Sequence, residues 1–407
     1  MNACGVVVEY NPFHNGHYYH LQEARKQTGA DCMIACMSGN YLQRGEPAIV
    51  SKWTRTKMAL SGGADIVIEL PYPFATSNAE YFAYGSISIL EAMGAEAFCF
   101  GSESGNMDDF ITAVDVFQSS RHQLDAKISE LMAKGYSYPK TSSIAFADIG
   151  GQTLDLSTPN NILGFEYVKA SVLNGYSIRP ETIQRKSAQY HDEELGKGVI
   201  ASATAIRKAI FSSSSANTAD YLPSPSYDLL NEDHSRFNKM NWEMLFPFFK
   251  YKVLTSTKEK LSSYYQVEEG LENRIKECVL HAETFNEYMT ALKTKRYTWT
   301  RLQRASLHIF ADAVKEEIKS ALKSPPPYLR VLGMSKAGQQ YLSHMKKKTP
   351  LPFVTTLSKF SHPLLELELR TSAVYYHIAK KSSGTVFNEY AQPPVMFDER
   401  EQAFKNS

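Results

Sequence analysis

Four short apolar runs fall in the first 101 residues: Gly5–Glu9, Cys32–Cys36, Ile66–Leu70 and Ala97–Gly101. Helical stretches near His17–Thr28, Ser51–Ser61 and Ala79–Met93 separate them. Runs this short and this continuously apolar suit strands covered on both faces, the situation of a parallel sheet. Gly62-Gly63-Ala64-Asp65 and Gly94-Ala95-Glu96-Ala97 read as helix ends feeding new strands. The alternation predicts a doubly wound α/β domain with a parallel sheet, whose ligand lies at the carboxyl ends of the strands.

The first run breaks at Asn11-Pro12 and gives His14-Asn15-Gly16-His17 where a helix begins. A helix N-terminus offers unpaired N–H donors and partial positive charge, which suits phosphate. Gly16 lets backbone approach that phosphate, and His14 and His17 can each donate to an oxygen on which charge builds. Further anion-binding candidates follow. Arg44-Gly45-Glu46-Pro47 succeeds the second run with Lys52 a turn later, placing two cations for phosphate if that loop closes over the site. Ser202-Ala203-Thr204-Ala205-Ile206-Arg207 puts hydroxyls at a helix start and a guanidinium one turn on. Three residues read equally well as structural: Gly101 as a turn glycine, Asn160 as a helix cap, and Arg185 as a surface charge, with Lys186 and Tyr190-His191-Asp192 just beyond it.

At 407 residues the chain has room for two or three domains, and its net charge of +1 argues against a protein coated with nucleic acid. That balance hides a local excess. Residues 291–350 hold 13 Lys or Arg against three acids. Within them Lys293, Lys295 and Arg296 lead into Tyr297-Thr298-Trp299 and then Arg301 and Arg304. On one helix Arg301, Arg304, His308 and Lys315 form a basic stripe, suited to RNA phosphate with aromatic rings for bases. The five cysteines show no zinc or disulfide spacing, and no carboxylate cage for a metal is evident. No apolar run is long enough to span a bilayer, and the N-terminus lacks signal-peptide character, so a cytoplasmic location is expected, with no membrane and no protein partner.

Ser212–Ser215 through Pro223-Ser224-Pro225 is the clearest linker. It divides the chain into a catalytic domain over 1–222 and a mainly α-helical, basic domain over 223–407. Beyond Pro325-Pro326-Pro327, Tyr328–Leu332 and Leu351–Thr355 read as short strands and Pro363–Lys381 as a helix.

Taken together, Gly5-Val-Val-Val-Glu-Tyr-Asn-Pro-Phe-His-Asn-Gly-His17, Gln43-Arg-Gly-Glu-Pro-Ala48, Ala64-Asp-Ile-Val-Ile-Glu-Leu-Pro71, Pro159-Asn-Asn-Ile-Leu-Gly164, Ala201-Ser-Ala-Thr-Ala-Ile-Arg207 and Lys295-Arg-Tyr-Thr298 resemble the bacterial tRNA(Met) cytidine acetate ligase family, within the His-x-Gly-His nucleotidyltransferase superfamily. The resemblance runs from residue 2 to about 355. It implies a Rossmann-like nucleotidyltransferase domain of the HIGH type. It further implies ATP-dependent acetylation of N4 of the wobble cytidine in elongator tRNA(Met), with free acetate as donor and Mg²⁺ arriving on ATP. The family's ATP site carries over to Val7, Val8, Glu9, Tyr10, Asn11, Pro12, Phe13, His14, Asn15, Gly16, His17, Tyr18, Tyr19 and His20, with Gly101, Asn160 and Arg185. His14 and His17 are then the catalytic pair; Arg44, Lys52, Thr204 and Arg207 are further phosphate candidates, and Lys295, Arg296, Arg301 and Arg304 tRNA candidates. No protein nucleophile is required, because acetate itself attacks the α-phosphate.

Two other readings share the motifs. A small-molecule adenylyltransferase of the pantetheine-phosphate or nicotinamide-mononucleotide type explains His-x-Gly-His but not the basic, aromatic C-terminal half. A non-catalytic tRNA-binding protein explains that half but not the intact His14, Gly16 and His17.

Overall fold

The structure, a computed structural model, describes residues 1–134, 136, 138–185, 200–212, 218–381 and 387–405. Lys186, Tyr190, His191, Asp192 and the expected linker from residue 213 to 217 lie outside the described residues.

The four apolar runs are strands: β1 (Ala3–Val8), β2 (Cys32–Ser38), β3 (Ile66–Leu70) and β4 (Ala97–Ser102), joined by β5 (Arg179–Gln184). They lie parallel in the order β5-β4-β1-β2-β3. β2 and β3 are buried along their whole length, which is why they read as unbroken apolar runs rather than alternating ones. The order reverses between β1 and β4, so the carboxyl ends of those two strands flank the crevice where such sheets bind ligands.

The sheet does not end with the first 222 residues. β6 (Leu329–Ser335) pairs antiparallel with β3, and β7 (Phe353–Val354), β8 (Val395–Asp398) and β9 (Ala403–Lys405) extend it. The mainly helical C-terminal half therefore returns to the first domain's sheet, and the division at 222/223 does not separate two sheets or two cores. The physical reason lies in β3: Ile66-Val67-Ile68-Glu69-Leu70 left as an edge would expose an apolar pairing surface, and β6 covers it. Likewise Pro223-Ser224-Pro225 is not linker but the start of the helix Ser224–Arg236, where a proline at the first turn loses no hydrogen bond.

The helices Trp242–Thr255, Leu271–His281, Phe285–Leu292 and Trp299–Phe310 close around aromatic rings, with Trp242 stacked on Phe285 at 4.1 Å. Their contact with the sheet domain clamps the loop after β2. Trp242 Nε1 donates to Gly45 O at 2.8 Å, and Arg304 Nη1 to Gln43 O at 3.3 Å. Gly45 has φ 77°, and a Cβ there would lie 2.5 Å from the Arg304 backbone nitrogen, so only glycine fits.

Candidate active site

Between β1 and the helix Asn15–Thr28 the chain turns sharply. Tyr10 adopts φ 50°, unusual for a residue with a side chain, and its ring packs edge-on against buried Phe13 at 4.7 Å. Arg55, fully buried, donates to the carbonyls of Glu9 (2.6 Å), Ser38 (3.0 Å), Gly39 and Val50 (3.3 Å), tying the ends of β1 and β2 together. Arg207 Nη1 donates to Asn11 O at 2.9 Å from the other side. Asn11 Oδ1 accepts from Ile49 N at 2.7 Å, and Asn15 Nδ2 donates to Asp220 O at 2.9 Å.

His14 caps the helix: its Nδ1 accepts from Gly16 N at 3.0 Å, and His17 Nδ1 accepts from His14 N at 3.3 Å. A Cβ on Gly16 would sit 2.9 Å from the His14 ring, closing that cap. With each Nδ1 accepting a backbone N–H, the ring proton belongs on Nε2. The two rings stack at 3.7 Å; the His17 ring also faces the Pro12 carbonyl, which raises its basicity slightly, and the His14 Nε2–H is left to donate. Burial, reinforced by the Arg185 and Arg207 cations, depresses His14 to about 3. Burial also carries His17 well below the usual imidazole range and His20 down to about 4. At neutral pH all three are uncharged donors, and the positive charge of the site comes from guanidiniums.

Across the crevice, Gly101 in β4 faces Arg185 and His20: a Cβ there would lie 3.5 Å from Arg185 Cγ and 3.8 Å from His20 Cδ2. Arg185 N donates to Ser102 O at 3.0 Å, which holds the residue beside β4 after β5 has ended. Asn160 is the second residue of the helix Pro159–Leu173 and Thr158 occupies the cap position, so the capping alternative does not hold. Asn160 Nδ2 instead donates to Glu103 Oε1 at 2.6 Å, while Asn161 N donates to Glu103 Oε2 at 2.9 Å. Residues from β1, β4, β5 and two helices thus meet at one switch point. Tyr10 Oη, Asn11 Nδ2 and His20 Nε2 are buried polar atoms there without a hydrogen-bond partner among the described residues, each with capacity left for a ligand.

The phosphate candidates divide. Ser202 caps the helix Ala203–Phe211 through Ala205 N at 3.1 Å, leaving Thr204 exposed and Arg207 beside the Asn11 loop, where it also meets Glu46 at 3.2 Å. Arg44 is half-buried and its charge counteracts the upward shift that burial imposes on the Glu9 carboxyl. Lys52 is placed elsewhere. Its ammonium is fully buried, 2.6 Å from Glu69, 2.5 Å from Glu389 and 3.7 Å from Glu368, and it is neutralised there rather than offered to phosphate.

The basic C-terminal set divides too. Lys295 and Arg296 are exposed, Arg296 lying 2.8 Å from Glu269. Arg301 is half-buried over the Tyr297 ring, 4.5 Å from its centre, and 3.5 Å from Glu268. Arg304 is buried, donating to Gln266 and Gln43, and burial lowers it to about 10. His308 is buried against Tyr72 Oη at 3.2 Å and pushed down to about 3 by burial. The helix ends at Phe310, so Lys315 belongs to a separate helix, Lys315–Ala321. Arg304, His308 and Lys315 therefore do not form the expected exposed stripe with Arg301. The side of the helix that carries Arg304 and His308 packs onto the sheet domain.

Sequence reasoning missed Arg55, Glu103 and Glu46 as parts of the site's frame. Arg55 binds carbonyls, which carry no residue signature; Glu103 was visible only as the residue beyond β4. Burial raises the thiols of Cys4 to about 11 and Cys36 to about 12, so neither is a nucleophile at neutral pH. Among the described residues no group of three or more His, Cys, Asp or Glu stands where it could hold a metal ion. Nor, among the described residues, is any helix long and apolar enough to cross a membrane. The geometry suits a nucleoside polyphosphate: a helix N-terminus, neutral imidazole donors and guanidiniums converging on developing negative charge.

Residues 1–389 match the HIGH Nucleotidyl Transferase family. A tRNA(Met) cytidine acetate ligase of Geobacillus sp. (strain WCH70) is 46% identical, the match covering 97% of this chain and all of that protein. The protein of the same name from Bacillus subtilis (strain 168) is 46% identical over the whole of both chains. Among solved structures, Thermotoga maritima TmcAL in an apo form superposes with a TM-score of 0.91 at 31% identity, over 98% of this chain and all of that one. The same protein bound with alpha-thio ATP superposes with a TM-score of 0.89, again at 31% identity and the same coverage.

Proposed function

Because the chain belongs to the tRNA(Met) cytidine acetate ligase family of HIGH nucleotidyltransferases, we propose that it activates acetate with ATP and transfers the acetyl group to N4 of the wobble cytidine of elongator tRNA(Met). The observation that carries the reading is the pair of stacked, neutral imidazoles at the helix N-terminus beside Arg185 and Arg207. In the first step an acetate oxygen bonds to the α-phosphorus, the bond to the β-phosphate oxygen breaks, and pyrophosphate leaves with the electron pair. The Nε2–H of His14 donates to an α-phosphate oxygen as charge accumulates, and that of His17 does so by exchanging the Pro12 carbonyl for phosphate; neutral rings donate without losing a proton. Arg207 and Arg44 lie toward the departing pyrophosphate, with Thr204 on the same helix turn as Arg207. Adenosine occupies the β1–β4 crevice against Gly101, His20, Asn160 and Arg185.

In the second step the cytidine amine bonds to the acetyl carbonyl carbon. The carbon–oxygen bond to AMP breaks, AMP keeps the electron pair, and the surplus amine proton passes to water. A wobble base already lies in a loop, so presenting it costs less than flipping one from a duplex. Lys295, Arg296 and Arg301 are the exposed or half-exposed cations we assign to RNA phosphate, which positions without specifying sequence. Mg²⁺ enters with the ATP phosphates, since the carboxylates of the site are engaged by Asn160, Asn161, Gln43 and Arg207. ATP and tRNA as co-substrates support a cytoplasmic location.

The test is transfer of labelled acetate into bulk tRNA, with and without ATP and Mg²⁺. ATP-dependent label in one tRNA species, released as N4-acetylcytidine on digestion, is the expected outcome. No label from folded, ATP-binding protein would overturn it in favour of a small-molecule adenylyltransferase.

A further inference from the structure

A cleft of about 260 Å³ opens beside the Asn11 loop, between the helix Ala203–Phe211 and the helices Trp242–Thr255 and Trp299–Phe310. Arg207 and Glu46 line it, and Arg207 also bonds Asn11 O, so the cleft and the nucleotide loop share a wall. Its place in the sheet order matters. Gly101, His20 and Arg185 flank β1 on the β4 side, whereas Glu46 follows β2 on the opposite side. Once pyrophosphate has left Arg207 and Arg44, the adenylate in the β1–β4 crevice leaves this second side open for the group that attacks it.

Two large rings line the cleft yet remain exposed, Phe211 at 42% and Trp299 at 38%. Exposed aromatic faces are what an unstacked base packs against. Trp299 Nε1 donates to Gln303 Oε1 at 3.0 Å. An indole N–H only donates, so the Gln303 oxygen must face Trp299 and its amino group is left over. Asn241 repeats the arrangement: its Oδ1 caps the helix by accepting from Met244 N at 3.1 Å, which leaves its Nδ2 hydrogens. Both carboxamides therefore present donors. Cytosine carries adjacent acceptors, N3 and O2, along its pairing edge; uracil interrupts them with an N3–H. A donor-lined pocket accepts the first and leaves the second with opposed N–H groups.

Building on the tRNA reading above, we propose that this cleft receives the unpaired cytosine of the RNA substrate. Its ring stacks on Trp299 and Phe211, and its N3 and O2 meet the amino groups of Gln303 and Asn241. The exocyclic amine, at the remaining end of that edge, faces the wall of Arg207 and Glu46.

The test compares tRNA(Met) with its wobble cytidine-to-uridine transcript, measuring binding to the AMP-loaded enzyme without acetate. The wild-type protein prefers the cytidine transcript tenfold or more. Gln303→Glu keeps an acceptor for Trp299 but removes the donors; it abolishes the preference and slows single-turnover acetyl transfer at least tenfold. Acetate-dependent pyrophosphate–ATP exchange, which precedes RNA, serves as the control for fold and first step. Trp299→Ala, at an exposed ring, weakens binding of both transcripts fivefold or more and carries the test if Gln303→Glu does not fold. Unchanged discrimination and transfer in these variants, with exchange intact, would overturn the cleft assignment and leave the ligase reading standing. Absence of acetate-dependent exchange in the wild-type protein overturns the ligase reading itself, and the proposal with it.

Discussion

At the carboxyl end of β1, Arg185 and Arg207 stand among neutral imidazoles; in β3 and the strand beside it, Glu69 and Arg330 join Lys52, Glu368 and Glu389. The first cluster is open to the crevice, with Arg207 meeting Glu46 at 3.2 Å and the Glu103 carboxylate acting on Arg185. The second is closed. Lys52 and Arg330 (2.9 Å from Glu69, 3.1 Å from Glu389) hold three buried carboxylates. Burial, with Glu69 alongside, pushes Glu368 well above the usual carboxylate range. Burial alone would raise Glu69 as well, but Lys52 and Arg330 outweigh it and hold Glu69 ionised. Two sets of cations on one sheet thus differ: one is assigned in the proposed function to an incoming anion, the other fastens the C-terminal half, through Glu368 and Glu389, to the first domain.

The largest test of that contrast is Lys52→Met. Removing one cation from the closed cluster leaves buried carboxylates short of a partner and costs about 3–5 kcal/mol. Urea denaturation reads the loss, and the folded fraction keeps its KM for ATP. A raised KM with an unchanged urea midpoint would break the comparison. At the open cluster, His17→Ala takes away one donor to developing charge. Acetate-dependent exchange then falls about a hundred- to a thousandfold, as for loss of one oxyanion donor, while tRNA binding holds. Undiminished exchange would remove His17 from the chemistry.

The smallest effect is a pair of opposite pH slopes. His14 titrates near 3 folded and 6.5 unfolded, so the unfolded chain binds more protons between those values. Stability from its neutral ring is complete above 6.5 and is lost as pH falls toward the folded value. Glu368, raised from 4.5, has the reverse sign: its contribution is present below 4.5 and fades as pH rises. Relative to His14→Asn, which retains a capping side chain, the wild-type protein loses at most about 1.4 kcal/mol per pH unit on acidification through this window. Relative to Glu368→Gln it loses stability in the other direction. Parallel slopes, measured by denaturation at pH 5, 5.5 and 6, would mean that the two clusters do not differ in protonation.

Lys52 and Arg207 show where sequence reading stops. Both are cations one helical turn from a strand or cap signal, and both read as phosphate ligands. What separates them is Glu368 and Glu389, more than 300 residues beyond Lys52 in the chain and beside it in the fold. The same holds for Arg304 and His308. Their spacing on a helix is correct, yet the stripe expected to face RNA faces Gln43 and Tyr72 instead. A helical pattern gives relative angle but not which side a neighbour covers.

The sequence alone determined four of the five parallel strands near their final bounds and a helix beginning at the His14–His17 motif after β1, because apolar runs and helix-start signals act over a few residues. Tertiary structure decided that the sheet continues through β6 to β9, that Lys52 is neutralised rather than free, and that a base-sized cleft opens on the β2 side of the nucleotide loop. Edge pairing, charge neutralisation and cavities depend on which distant segments meet, and only the folded chain brings those segments together.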